Sequence, residues 1–222
     1  MNQLLSTRSN EGVIDHNHRW QQRYKSILVA GSMSLASLMI GCQSTATTQL
    51  TTPPSLPQNA VLINKATNLY QVDKLLFRSE QLRAADIPLL KANRIDAILN
   101  LRFFDRNDDE KLLADIVNET SLDLYNQPLK SWYVTPKEIA KALNTIKDLQ
   151  AQNKSVLVHC YHGADRTGLI IAMYRIIEQE WSIEHAKQEM VAGGFGYHAV
   201  WVNLENMLNP KTVAAVRIEM VI

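Results

Sequence analysis

Apolar and polar positions alternate along this chain with two periods, and each change of period predicts a change of element. Leu69 to Val72 and Leu75 to Arg78 are short alternating runs separated by Asp73-Lys74, the pattern of a hairpin. Ala84 to Asn93 predicts a helix with Ile87, Leu89 and Leu90 inward, and Ile95 to Leu101 a buried strand. Asp108 to Thr120 follows as a surface helix with Leu112, Leu113, Ile116 and Val117 on its apolar side, then Leu122 to Tyr125 as a strand and residues 127–135 as a loop. Thr135-Pro136-Lys137-Glu138 opens the next helix with an N-cap, a first-position proline and a capping-box glutamate, and Ile139, Leu143, Ile146 and Leu149 continue it at helical spacing. Val156 to Val158 reads as a buried strand, and Leu169, Ile170, Ile171, Met173 and Ile176 as a buried helix. Ser182 caps a helix through Ala186 and Met190 that breaks at Gly193-Gly194-Phe195-Gly196. Helix resumes from His198 to Leu208, with Val200, Trp201, Leu204 and Leu208 expected inward. Strands alternating with helices specify an α/β fold around a central, largely parallel sheet flanked by helices, one domain spanning residues 60–222.

The amino-terminal region carries no such pattern. Arg19, Arg23 and Lys25 precede an apolar run from Ile27 to Ile40 that ends at Gly41-Cys42, so residues 1–41 read as a secretory signal peptide, too short for a comfortable membrane span. Met39-Ile40-Gly41-Cys42 also resembles a bacterial lipobox, which implies lipidation of Cys42 and a periplasmic, membrane-anchored lipoprotein. Residues 42–59 are rich in Ser, Thr and Pro with almost nothing to bury, and read as a tether.

The chemistry is concentrated between the strand at Val156 and the helix at Leu169. The connecting residues run HCYHGADRTG from His159 to Gly168. In a tight strand-loop-helix of this kind the backbone N–H groups turn into the loop and the first-turn amides of the helix are unpaired, so the loop from Cys160 through Tyr161, His162, Gly163, Ala164 and Asp165 to Arg166 is a cradle for a phosphate. The same field favours thiolate over thiol at Cys160 and makes it a candidate nucleophile. Arg166 offers a planar fork of donors that can hold two phosphoryl oxygens into the transition state. Thr167 sits where its hydroxyl could donate to the Cys160 sulfur and ease departure of the thiolate. His159, Cys160 and His162 crowd one tight turn with no fourth ligand nearby, so no metal and no cofactor are expected.

HCYHGADRTG resembles the Cys, five residues, Arg, Ser/Thr motif of cysteine-dependent protein tyrosine and dual-specificity phosphatases. The pieces NLYQVDKLLFRSEQL, AILNLR and EMVAGGFGYHAVW are similar to the small bacterial, secreted dual-specificity-like branch. That resemblance covers Asn68 to Leu208 and implies a protein tyrosine phosphatase-like fold and a phosphocysteine intermediate. It also implies a general acid on a loop before the cysteine, yet residues 127–135 contain no carboxylate. Asp165, Asp105 and Asp123 are the substitutes, with Asp165 favoured as the candidate general acid, and a structural pairing of Asp165 with a basic neighbour as its competitor. Phenols leave more easily than alkanols, so a weak acid leans the expectation toward phosphotyrosine or aryl phosphates.

Composition removes one class of partner and leaves others open. A net charge of +1 over 222 residues gives no basic excess for nucleic acid. If Cys42 is lipidated, Cys160 is the one remaining thiol, which in an oxidising compartment fits reactivity better than structure. Protein tyrosine or dual-specificity phosphatase is the leading expectation. A phosphoinositide or small phosphate ester hydrolase, and an idle phosphate-binding module, are the alternatives.

Overall fold

A computed structural model of the chain describes residues 58–105, 107–114 and 122–221. The signal, lipobox and most of the tether lie outside the described residues, as does the second half of the helix expected over 108–120. The elements in chain order are β1 (Val61–Asn64), β2 (Leu69–Gln71), β3 (Leu76–Ser79), α1 (Ile87–Ala92), β4 (Ala97–Asn100), α2 (Asp108–Ala114), β5 (Asp123–Asn126), α3 (Pro136–Ala151), β6 (Val156–His159), α4 (Asp165–Glu178), α5 (Ile183–Ala192), α6 (Val202–Glu205) and α7 (Pro210–Val221).

The six strands form one sheet in the order β1-β2-β3-β6-β4-β5. β3, β6, β4 and β5 run parallel, and β1 and β2 extend the β3 edge as an antiparallel pair. The hairpin expected around Asp73-Lys74 forms because Asp73 Oδ1 accepts from the N–H groups of Leu75 and Leu76, a side-chain mimic of a turn. β1 had no counterpart in the sequence reading; Val61, Leu62 and Ile63 are exposed there on the sheet's outer edge.

Side-chain alternation divides the sheet into two packed faces. Leu76, Ala97, Leu99, Val156 and Val158 point into the larger core, shared with α3, α4 and α7, while Phe77, Ile98 and Leu157 point to a smaller one with Leu90 of α1. α4 is buried around almost its whole circumference, which explains why its sequence is apolar without a polar stripe. The capping box at Thr135 is present, with the Thr135 hydroxyl accepting from Glu138 N–H and the Glu138 carboxylate accepting from Thr135 N–H at 2.7 Å. The Ala84–Asn93 segment is a 3-10 turn over Ala84–Asp86 that passes into α1, with Pro88 in its first turn.

One expectation is corrected. Val200 does not pack inward: it is 76% exposed, because Ala199–Trp201 is a 3-10 turn whose tighter winding rotates Val200 away from the face that carries Leu204 and Leu208.

Candidate active site

The parallel register places Ser79, His159, Asn100 and Asn126 in one row at the carboxyl ends of their strands, the edge where α/β sheets collect their ligands. The loop 160–166 leaves β6 at this edge and enters α4 at Asp165, four residues earlier than the apolar pattern alone marks it.

The loop is held from outside by its carbonyl groups. Tyr161 O accepts from Gln81 N–H at 3.1 Å, His162 O from Asn68 Nδ2 at 3.0 Å, Gly163 O from Arg78 Nη2 at 2.7 Å and Ala164 O from Gly168 N–H at 2.8 Å. With four successive carbonyls turned to the scaffold, the N–H groups of the loop are free to converge on its concave side, as an anion requires. Gly163 adopts φ +67°, and a methyl group on it would stand 2.2 Å from the carbonyl oxygen of Ser79, so only glycine fits against the end of β3.

Beneath the loop lies a polar foundation. Arg78 is buried, with its guanidinium 3.6 Å above the ring of Phe195. Burial lowers its pKa to about 10, against the raising influence of Glu189 and Cys160. His159 is also buried; its Nδ1 faces Cys160 O at 3.1 Å and its Nε2 faces Asp109 Oδ2 at 3.0 Å. Burial opposes ionisation of Asp109, but the hydrogen bond and charge of His159, together with Gln81 and Arg102, outweigh it and hold the carboxyl below its ordinary range.

Cys160 is 1% exposed at the floor of a cleft of about 370 Å³. Arg166, half-buried, lines the same cleft and donates from Nη1 to Leu101 O at 3.4 Å. Tyr161, Phe104, Val200 and Trp201 supply apolar walls. A second depression, of about 510 Å³, adjoins it and shares Arg102, Tyr161 and His162 as walls.

The remaining sequence candidates fall into distinct places. Thr167 is fully buried and its hydroxyl makes no hydrogen bond among the described residues, to the Cys160 sulfur or otherwise. Asp165 lines the cleft, with Oδ1 accepting from His198 N–H and Oδ2 facing His198 Nδ1, both at 2.9 Å. Asp105 stands on the rim, its side chain 78% exposed and 3.6 Å from Arg102. Asp123 begins β5 at the opposite edge of the sheet and pairs with Lys154 at 2.6 Å, away from the cleft. The loop 127–135 contributes Ser131 to the cleft and is fixed by Tyr133 N–H to Lys130 O and by Asn203 Nδ2 to Ser131 O. The hydrophobic pattern marks His198 only as the start of a helix and gives no signal for Asp109 as the partner of His159.

The description "Dual specificity phosphatase, catalytic domain" matches residues 76–192. Among curated proteins, the dual specificity protein phosphatase TpbA of Pseudomonas aeruginosa strain PAO1 is 31% identical over 181 residues, covering 81% of this chain and 77% of that protein. The TpbA of strain UCBPP-PA14 is 32% identical over 148 residues, 66% of this chain, and the match spans 63% of that relative's length. A crystal structure of P. aeruginosa TpbA superposes with a TM-score of 0.66 at 27% identity, over 75% of this chain and 99% of the other. A cysteine-to-serine form of TpbA in complex with pTyr gives the same score at 26% identity, over 75% of this chain and 98% of the other.

Proposed function

Because this chain belongs to the dual specificity phosphatase catalytic-domain family, we propose that it hydrolyses phosphotyrosine in exported proteins through a phosphocysteine intermediate, without a metal. The observation that carries this reading is the position of Cys160 at the floor of a cleft, within a loop whose Tyr161, His162 and Gly163 carbonyls are held from behind. Its sulfur attacks phosphorus while Arg166 and the loop amides bind the equatorial oxygens, and water then releases phosphate from the sulfur. Apolar walls at Tyr161, Phe104, Val200 and Trp201 suit a phosphoryl group carried on an aromatic ring long enough to reach the floor. The pTyr complex of the relative TpbA supports the same substrate class.

The full chain is expected to turn over a phosphotyrosine peptide in the presence of a chelator, at least about tenfold faster in kcat/KM than the matching phosphoserine peptide, a difference of about 1.4 kcal/mol in transition-state binding. A preference for phosphoinositides would move the substrate to lipids. Phosphate binding without turnover of any ester would leave only a recognition module.

The location belongs to the same proposal. The signal-like run before Gly41-Cys42 supports export with a lipid on Cys42, and residues 43–59 would give the domain reach along the membrane surface. Replacing Cys42 by Ser should shift the chain from the membrane to the soluble periplasmic fraction. Membrane association that survives the substitution would remove the anchor from this reading.

A further inference from the structure

A cysteine phosphatase must protonate its leaving group, and the loop at 127–135, where this fold's acid is expected, has no carboxylate to do so. The groups that line the cleft and can hold a transferable proton are Asp105, Tyr161, His162, Asp165 and His198. Asp105 stands on the exposed rim beside Arg102. Both oxygens of Asp165 are turned to His198, one to its backbone N–H and one to its ring. His162 is part of the phosphate loop itself, with its ring tilted against Tyr161 and 5.0 Å from the ring of His198.

His198 differs from all of these in geometry. Its side chain is 45% exposed on the cleft wall, and its Nδ1 and backbone N–H are both fixed by one carboxylate. A carboxylate on Nδ1 holds the proton of that nitrogen and the ring orientation, so Nε2 is the nitrogen that gives up a proton from the imidazolium and takes one back as the neutral ring. We infer that His198 is the general acid of this active site and that Asp165 is its positioning residue. This inference rests on the phosphatase reading above. Sulfur attack at phosphorus breaks the bond to the leaving oxygen, and that oxygen takes the Nε2 proton of the imidazolium. The neutral ring then removes a proton from water as the water oxygen attacks phosphorus and the Cys160 thiolate departs. The Nε2 proton and the thiolate are both restored at the end of the cycle.

The arrangement also gives Asp165 a reason to sit in the first turn of α4 next to Arg166. From there it reaches across to the turn that follows the Gly-rich segment, and so ties the distal wall of the cleft to the phosphate loop.

The test compares leaving groups. In the full chain, His198→Asn is expected to lower kcat/KM, which reports expulsion of the leaving group and not the later hydrolysis of the phosphocysteine, by roughly 10²–10⁴-fold for phenyl phosphate and a phosphotyrosine peptide, while 2,4-dinitrophenyl phosphate, whose phenoxide needs no proton, loses less than about tenfold. Asp165→Asn should shift the same ratio in the same direction by a smaller factor, and should add little in the His198→Asn background. Equal losses on both esters, or no loss on phenyl phosphate, would overturn the assignment. An undiminished Asp165→Asn effect in the His198→Asn background would give the proton to Asp165 instead. A wild-type chain inert toward the dinitrophenyl ester as well would sink the phosphatase reading and this inference together, so the two failures are distinguishable.

Discussion

The Cys160→Ser chain is expected to lose turnover of aryl phosphates by a factor on the order of 10⁴ or more, while still binding inorganic phosphate or vanadate. The substitution exchanges sulfur for oxygen in a residue 1% exposed, so the loop has almost no cause to rearrange. On the proposed reading the donors to the phosphoryl oxygens are backbone amides and Arg166, none of which is altered. On the same reading what changes is the nucleophile: a serine hydroxyl is not ionised near neutral pH. The loss should therefore fall on kcat, with substrate affinity retained, which is the pattern of an interaction made only in the transition state. Rate measurements with and without chelator, alongside calorimetric titration of phosphate, separate the two quantities. A Ser variant retaining more than about a tenth of wild-type turnover would place the nucleophile elsewhere.

The retention of binding in that variant depends on a scaffold built on the carbonyl side of the loop. Gln81, Asn68 and Arg78 each hold one loop carbonyl, and Asn68 also donates to Phe195 O at 2.9 Å, so the loop and the Gly-rich turn share a support. His159 and Asp109 form a second support under Cys160. Because the bonds that reach the loop are made to its backbone carbonyls, the shape of the cradle does not depend on the side chain at position 160.

The loop itself was legible in the sequence because its chemistry requires Cys, Gly, Arg and Thr at fixed offsets between a strand and a helix. The sheet was legible because β4 and β6 are continuous apolar runs, the pattern of strands buried on both faces. Asp109 was not, since it lies in a run of acids at 108–110 that reads as a helix amino-terminus facing solvent. Only the fold shows that the middle acid turns under His159 and is buried there. Val200 was misplaced for a related reason. A helical period extrapolated across 198–208 puts Val200 on the inner face, but the first residues wind as a 3-10 turn and leave Val200 on the cleft rim and His198 on its wall. β1 escaped because its short, exposed run owes its order to pairing with β2 rather than to burial.

Glu189→Ala is expected to destabilise the domain by about 3–5 kcal/mol, the penalty for leaving a buried charge without its partner. Arg175 and Glu189 are each about 2% exposed and meet in a two-point contact, Nε to Oε2 at 2.9 Å and Nη2 to Oε1 at 2.8 Å. Gln179 at 2.7 Å and the face of Trp181 at 4.2 Å would remain, but neither carries a negative charge. Glu189 also accepts from the Ala60 N–H at 2.8 Å, so the strand leading into β1 loses its tie at the same time. The effect reaches the active site through Arg78, because Glu189 is the foremost charge offsetting the burial of that guanidinium. With Glu189 gone, Arg78 is harder to keep charged in place, and its hydrogen bond to Gly163 O weakens with it. Glu189→Gln, which keeps the shape and one of the two acceptor oxygens, should cost less than Glu189→Ala yet still weaken the loop. Urea unfolding of both variants, paired with kcat/KM, measures the two effects separately. Stability within about 1 kcal/mol of wild type for both would show that the pair exchanges its partner for water at little cost, and an unchanged kcat/KM that Arg78 holds the phosphate loop without help from Glu189.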